Sequence, residues 1–148
     1  MFRHALIPLV CLAAAPLSAA SVSDCGDRAS ARFLAEPWEE NTATFAEGEV
    51  RLAVLDMKEP AGAPSYLVVL SPPYNEVGDR QCKVVEAQPN YGFYQIDLAT
   101  VEAEQDAETG LTLRIPVTDY ADGWKNPPPF PLTVTINQST GEVTATTD

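Results

Sequence analysis

Histidine, methionine and cysteine are scarce in this chain of 148 residues, which contains one, two and three of them respectively. The single histidine is His4, in an N-terminal segment that we expect to be removed. The mature chain alone then cannot use histidine to activate a serine or cysteine nucleophile, nor to bind zinc, copper or haem. For an enzyme this leaves carboxylate chemistry, a tyrosine or lysine acid or base, or an oxygen-ligated metal.

Long hydrophobic runs are also missing. A membrane-spanning helix needs about 20 apolar residues, and no stretch of this chain is that long. The longest apolar stretch, residues 5–17, follows a positive start at Arg3 and precedes the small residues Ser18, Ala19 and Ala20. This is the pattern of a secretory signal peptide cleaved after Ala20. We expect residues 1–20 to be a cleaved signal peptide of bacterial type. Residues 21–148 then form one periplasmic or extracellular domain that does not insert into a membrane.

Positive charge is the third scarcity. Removing residues 1–20 takes away one of nine basic side chains and none of the 21 acidic ones, which leaves a net charge of −13. Nucleic acids and anionic membrane surfaces are bound through clustered Lys and Arg, so we expect neither as a partner. An electrostatic partner would be cationic. The alternative is that the charge only keeps an exported protein soluble.

Two cysteines, Cys25 and Cys82, remain after cleavage. In an exported protein an isolated pair is most simply one disulfide. Closing a loop of about 57 residues would stabilise the fold by roughly 4 kcal/mol on the chain-entropy model. A redox pair is the alternative, but the spacing is not Cys-x-x-Cys and no histidine is present to lower a thiol pKa.

From Thr42 onward apolar residues recur with period two, interrupted by Gly, Pro, Asn and Asp. This pattern predicts an all-β fold, a single antiparallel β-sandwich or small barrel of about eight short strands. The continuously apolar residues 66–70 indicate a central strand covered on both faces. The predicted strands are residues 42–45, 50–56, 66–70, 81–87, 92–98, 101–106, 111–117, 132–137 and 143–146.

Two segments carry more specific expectations. Residues 27–36 are the only helical candidate, at most two turns capped by Asp27. In the strand 92–98, alternation should place Tyr94, Ile96 and Leu98 on one face and Phe93 on the other.

Three loops, residues 59–65, 71–78 and 120–131, concentrate proline and aromatic residues. The third should hold a stiff polyproline conformation, and rigid aromatics on loops are common recognition anchors. Tyr74 would join the same surface if its loop lies at the same end. In the alternative interpretation, the rings at positions 124 and 130 fold back and plug the open end of the sheets. The predicted binding residues are Trp124, Phe130, Tyr74 and Tyr120.

Acidic residues alternate at Glu102, Glu104 and Asp106, so in a strand they project from one face. They could dock a basic protein surface or, with Glu108, hold a calcium ion; alternatively they form a solvated face that protects a sheet edge. The segment 119–123 lacks the ligand pattern of a calcium loop. We therefore expect no metal site and no cofactor.

Trp38 precedes Glu39 and Glu40, but adjacent carboxylates on a strand point to opposite faces and cannot converge as glycosidase acids must. We expect Trp38 to lie in the core or to cap the N-terminal segment, and we predict no catalytic residue. The favoured hypothesis is an exported, non-enzymatic β-domain that recognises a protein or glycan of the cell envelope through its Pro/aromatic loops. The alternatives are a small carboxylate-dependent enzyme acting on wall or polysaccharide substrates, or a structural subunit of an envelope assembly.

Overall fold

The computed structural model describes residues 18–58, 62–120 and 127–148. In these ranges the chain is almost entirely β-structure, which confirms the predicted all-β class. Helical geometry there is limited to two single 3-10 turns, Ala31–Phe33 and Ala46–Gly48. The first turn follows Ser30 and has no side-chain cap, so the predicted capping by Asp27 is wrong.

The described residues form eleven strands: β1 Ser18–Ala19, β2 Ser21–Asp24, β3 Thr42–Phe45, β4 Val50–Asp56, β5 Ser65–Tyr74, β6 Arg80–Glu86, β7 Gln95–Ile96, β8 Glu102–Asp106, β9 Gly110–Thr118, β10 Phe130–Ile136 and β11 Val143–Thr147. Eight of the nine predicted strands each correspond to one of these, and the ninth, 92–98, overlaps β7 at residues 95–96 alone. The two that alternation missed, β1 and β2, are short and lie before Thr42, where the periodic pattern begins.

The strands form two antiparallel sheets. Sheet I has the order β2-β6-β5-β4-β3, and sheet II has the order β1-β11-β10-β9-β7. Strand β8 also pairs with β9, so β7 and β8 share one edge of that strand: β7 pairs near Thr118 and β8 near Gly110. Most neighbouring strands are also consecutive in the chain.

The inner faces of the two sheets share one hydrophobic core, so the fold is a sandwich. Its fully buried members come from both sheets and include Val50, Leu67, Val69, Val85, Leu113, Ile115, Leu132, Val134 and Ile136. The outer face of sheet I carries a second apolar cluster around Leu55, Tyr66, Val68 and Val84, which residues 25–34 cover. Strand β5 therefore has both faces covered, as predicted.

A disulfide between Cys25 and Cys82 fixes the covering segment to strand β6, with the two Cα atoms 5.3 Å apart. Beside it, the Cys25 amide donates to the Cys82 carbonyl at 3.1 Å. The predicted bridge is thus confirmed. It attaches the N-terminal segment to the strand next to the centre of sheet I.

The segment 92–98 is not the single alternating strand predicted. Phe93 forms a bridge with Ser65 of sheet I, the chain bends at Tyr94, and β7 then pairs with β9 of sheet II. Because the bend reverses which side faces inward, Phe93 is buried in the same core as Ile96 and Leu98. The prediction that Phe93 lies on the face opposite Ile96 and Leu98 is therefore wrong.

The N-terminal strand also changes sheets. Strand β1 pairs with β11 of sheet II, and β2 pairs with β6 of sheet I. The Ala20 amide donates to the Ala145 carbonyl at 3.1 Å. Residues 18–20, the predicted end of the signal peptide, thus lie along the edge of β11. Neither 3-10 turn in the described ranges approaches the length or apolar content that crossing a membrane requires.

The connections divide into two ends of the sandwich. The hairpin end consists of residues 46–49, 75–79, 107–109 and 137–142. The loop end consists of the described residues 36–41, 57–58, 62–64, 87–94, 97–101, 119–120 and 127–129.

Candidate functional site

The turns of the hairpin end are held by side-chain caps. Asn75 Oδ1 accepts hydrogen bonds from the backbone of Val77 and Asp79 at 3.0 and 2.8 Å. Asp106 and Asn137 cap their own turns in the same way, each accepting two backbone N–H groups. In the part of the chain that the structure describes, the glycines with positive φ all lie at this end, at Gly48, Gly78, Gly110 and Gly141. The hairpin end is therefore built from tight turns whose geometry local chemistry specifies.

One side chain ties the two sheets together at the hairpin end. Gln81 Nε2 donates to Ser71 Oγ at 3.0 Å, to the Pro72 carbonyl at 3.1 Å and to the Gly141 carbonyl at 2.9 Å. Ser71 is fully buried. Because Gly141 belongs to a sheet II turn and Gln81 to sheet I, this amide closes the hairpin end.

The loop end carries most of the exposed aromatic surface. Trp38, Tyr91 and Tyr120 are 57%, 44% and 48% exposed, while the other large apolar side chains exposed in the described residues, Tyr74 and Val77, lie at the hairpin end. The expectation that Trp38 packs in the core or caps the N-terminal segment is wrong. Its turn projects from the edge of β4, so the indole faces solvent.

The backbone that carries Trp38 is well fixed. The Trp38 carbonyl accepts hydrogen bonds from the Asn41 amide at 3.2 Å and from Thr42 Oγ1 at 2.8 Å. The Pro37 carbonyl accepts the Glu40 amide at 3.2 Å and Asn41 Nδ2 at 3.0 Å. An aromatic ring on a backbone already ordered loses little conformational entropy when it binds.

Beside this turn lies a cavity of about 660 Å³, between residues 40–41, the end of β4 and the chain from 94 to 99. Three carboxylates line it, those of Glu40, Asp56 and Asp97. Asp97 accepts the Ala99 amide at 2.8 Å. Partial burial raises the pKa of Asp56, but hydrogen bonds from Lys58 outweigh this effect and hold that pKa below its ordinary value. The cavity is thus lined by three carboxylates, of which Asp56 is paired with Lys58 at 2.9 Å, and the turn that carries Trp38 borders it through Glu40 and Asn41.

Tyr120, a predicted binding residue, lies at this end. Its ring meets that of Tyr94, which lines the cavity, edge to face at 6.1 Å. Burial raises the pKa of the neighbouring Asp119. Within the described part of the chain, Thr118 Oγ1 is buried and has no hydrogen-bond partner.

Phe130 is also at the loop end, but its ring packs partly against the main core. Its register partner on β9 is Val117, a core residue, so both side chains point inward. One side of Phe130 borders a groove of about 340 Å³ with Pro116 and Pro131. This position favours the plugging interpretation for Phe130. Trp124 lies outside the described residues.

Tyr74 does not share a surface with Tyr120 and Phe130. It ends the ten-residue strand β5, whose first residue Ser65 is at the loop end, so the two termini are roughly 30 Å apart. The Arg80 guanidinium lies 5.3 Å from the centre of the Tyr74 ring. The condition for adding Tyr74 to the loop surface is therefore not met.

The acidic strand β8 is exposed along its whole length. Glu102 is the register partner of Arg114 and Glu104 that of Thr112, so these carboxylates share the outer face of sheet II. Asp106 is occupied as a turn cap, and hydrogen bonds from Thr109 and Glu108 lower its pKa. A general acid needs the opposite shift, so Asp106 does not suit that role. No three His, Cys, Asp or Glu side chains in the described ranges are grouped to hold a metal ion.

Comparison with protein-family models, with curated proteins and with solved structures found no match to this chain. The candidate site is therefore defined by geometry alone. It consists of the cavity and exposed rings of the loop end. Sequence reasoning found Tyr120 but missed Trp38 and Tyr94; the adjacent Pro37, Glu39 and Glu40, which favour an exposed turn, were the available signal for Trp38.

Proposed function

We propose that this protein is an exported, non-enzymatic binding domain whose loop end recognises a basic segment of a protein partner in the cell envelope. The observation that carries the proposal is the exposed Trp38, held on a hydrogen-bonded turn beside a cavity with three carboxylates. The export part rests on residues 1–20 and is supported by the disulfide, since such bridges persist in oxidising compartments.

The physical chemistry of the loop end favours a cationic ligand. A Lys or Arg side chain is attracted to the face of an indole. Glu40, Asp97 and the Lys58-paired Asp56 supply carboxylates in the cavity that borders the Trp38 turn. With a net charge of −13 after cleavage, the whole domain adds long-range attraction for a basic partner. A neutral glycan would gain from the aromatic rings but not from this charge.

The test uses a lysine-rich decapeptide and the same peptide with its lysines acetylated, titrated against the exported protein by calorimetry. We expect binding of the basic peptide that weakens as salt rises and at least tenfold weaker binding of the acetylated one. The Trp38→Ala variant should bind the basic peptide at least tenfold more weakly, which is the scale of an interface hot spot.

Tyr74→Ala is the matched control, because it removes an exposed ring from the opposite end. It should leave the affinity for the basic peptide unchanged. Equal affinity for the charged and acetylated peptides would contradict the proposal that the partner is cationic. Loss of binding in Tyr74→Ala with retention in Trp38→Ala would move the site to the hairpin end. Binding of wall glycans but of neither peptide would replace the protein partner by a sugar.

A further inference from the structure

The outer face of sheet II carries polar side chains at the positions between its core residues. Two rows of register partners cross β8, β9 and β10 on this face: Glu102, Arg114 and Thr133 in one, and Glu104, Thr112 and Thr135 in the other. The Cβ atoms of register partners stand about 5 Å apart. In the second row the hydroxyl oxygens of Thr112 and Thr135 are 3.4 Å apart. Each row thus combines a carboxylate with at least one hydroxyl, and the first adds a guanidinium.

Arg114 differs from the other basic side chains of the described ranges. Each of the others forms an ion pair, a hydrogen bond to a backbone carbonyl or a cation–π contact: Arg28, Arg32, Arg51, Lys58, Arg80 and Lys83. Within the same ranges the exposed Arg114 guanidinium has no such partner, although Glu102 lies opposite it. A guanidinium has five N–H donors in a fixed fork. Arg114 therefore has donors available to a ligand on this face.

Two cavities adjoin Arg114 and Glu102, which line both of them. The first has a volume of about 360 Å³ and lies over the polar rows. The second, of about 340 Å³, extends toward the loop end and has apolar surface from Pro116, Phe130 and Pro131. Volumes of about 300 to 1,000 Å³ are usual for small-molecule sites. We call the two cavities together the sheet II trough.

The chemistry of the trough selects a ligand without charge. An anion would face Glu102 and Glu104 in a chain with 21 acidic and nine basic side chains, and a cation would face Arg114. A ligand that both donates and accepts hydrogen bonds suits the mixed rows, since carboxylates accept, guanidinium donates and hydroxyls do both. The face also lies across three strands rather than along a strand edge, so it offers a peptide no backbone pairing.

We propose that the sheet II trough binds a neutral oligosaccharide. Sugar hydroxyls donate to the Glu102 carboxylate and accept from the Arg114 guanidinium, and the apolar face of a ring packs on Phe130 and the neighbouring prolines. This site is separate from the loop end and does not depend on the function proposed there. Because the ligand is uncharged, its affinity should not change with salt, unlike that of a basic peptide.

The test uses the protein recovered from a bacterial host that expresses the full chain. Cellotetraose, maltotetraose and N-acetylchitotetraose are the neutral probes, tetragalacturonate is the anionic one, and the acetylated decapeptide is the uncharged peptide. Calorimetry gives the affinity, and the NMR signal of the Arg114 Nε–H group reports on the site. We expect at least one neutral sugar to bind, to shift this signal and to do so equally at low and moderate salt.

Variants locate the site. Arg114→Ala should bind that sugar at least tenfold more weakly, because it removes charge-assisted donors. Thr133→Val, which removes one neighbouring hydroxyl, should weaken binding by about threefold. Arg51→Ala is the matched control, since Arg51 is also exposed on a strand but belongs to sheet I. It should leave the affinity unchanged.

The outcomes are distinct from those of the peptide assay at the loop end. Failure of all three neutral sugars to bind, or equal binding by Arg114→Ala and the wild type, would overturn this inference. Tighter binding of tetragalacturonate would show that the ligand is an anion, and Arg114-dependent binding of the acetylated peptide would show that it is a peptide. Trp38→Ala should retain sugar binding and Arg114→Ala should retain basic-peptide binding, so either site can fail without the other.

Discussion

At the hairpin end of the sandwich, short turns join neighbouring strands of the same sheet and Gln81 bonds one sheet to the other. At the loop end the connections are longer, one of them crosses between sheets at Tyr94, and a cavity remains between them. Polar side chains at the hairpin end therefore form hydrogen bonds mainly with the backbone of that end. The loop end leaves Trp38 and Tyr120 exposed on segments that strands and hydrogen bonds hold in place.

This difference indicates why the binding proposed for the loop end would not lower stability. Loops on a rigid scaffold tolerate side chains chosen for recognition, because the scaffold supplies the folding energy elsewhere. We expect substitutions at the hairpin end to change the free energy of unfolding and substitutions at the loop end to change binding. The predictions below test that division, from the largest expected effect on stability to the smallest.

Gly110→Ala should be the most damaging change at the hairpin end. Its φ is +92°, and an added Cβ would collide with the backbone of Ile136 and Asn137. Strain and overpacking together should cost about 2 to 4 kcal/mol, measured by urea unfolding. Gly78→Ala is the control, since its φ of +88° is similar but nothing lies within 4 Å. It should cost about 1 kcal/mol, and equal losses would contradict the role of packing at Gly110.

Gln81→Ala should open the contact between the sheets at the hairpin end. The change removes three hydrogen bonds and leaves the Gly141 carbonyl without this donor. We expect a loss of about 1 to 2 kcal/mol in urea unfolding. Gln95→Ala, at an exposed position of β7, should change the free energy by at most about 0.5 kcal/mol. A larger loss of unfolding free energy in Gln95→Ala than in Gln81→Ala would contradict the role of Gln81 in joining the sheets at the hairpin end.

Two aspartates should give the ends opposite pH dependences. The pKa of Asp106 is lowered by hydrogen bonds from Thr109 and Glu108, so its stabilisation is present above its ordinary pKa of 3.8 and is lost as pH falls through the folded value. The pKa of Asp119 is raised by burial, so its carboxylate destabilises the fold as pH rises above 3.8.

Melting temperatures from pH 2 to 7 check this pair. At neutral pH, Asp106→Asn should melt below the wild type and Asp119→Asn above it. Both differences should shrink in acid, as both carboxyl groups become protonated in the folded protein. Differences of the same sign at neutral pH would show that the two ends do not differ in this respect.

Trp38→Ala should have the smallest effect on stability. The side chain is 57% exposed, and Trp38 takes part in the hydrogen bonds of its turn through its carbonyl, which alanine keeps. We expect a change within about 0.5 kcal/mol by urea unfolding, in a variant that loses peptide binding. A loss above 2 kcal/mol would show that the indole contributes to folding, and the loop end would then share the character of the hairpin end.

Most of the fold could be predicted because its signals are local. Period-two alternation located β4 at its exact bounds, Val50–Asp56, and turn residues separated β8 from β9. The disulfide followed from there being only two cysteines in the expected mature chain. Prediction was wrong at residues 92–98, where the strand bends from one sheet to the other, since alternation assumes that a strand keeps one face toward the core.

The candidate site was predictable only in part. Tyr120 was chosen because prolines and aromatics cluster near it, and it does lie at the loop end. Tyr74 was chosen on the same grounds but lies at the opposite end, because composition carries no information on the direction in which a strand runs. Trp38 was misassigned because an aromatic residue beside an N-terminal segment is more often buried than exposed.

The all-β class, the disulfide, the charge and the turns of the hairpin end follow from composition and local pattern, because they depend on neighbouring residues or on simple counts. Three features depend on tertiary structure instead: which loops share an end, which rings face solvent, and that the buried Glu86 pairs with Arg28. These facts depend on strand register and sheet order, which join residues far apart in the chain. Pairing between strands far apart in the chain depends on the packing of the whole core, so local sequence patterns do not predict it.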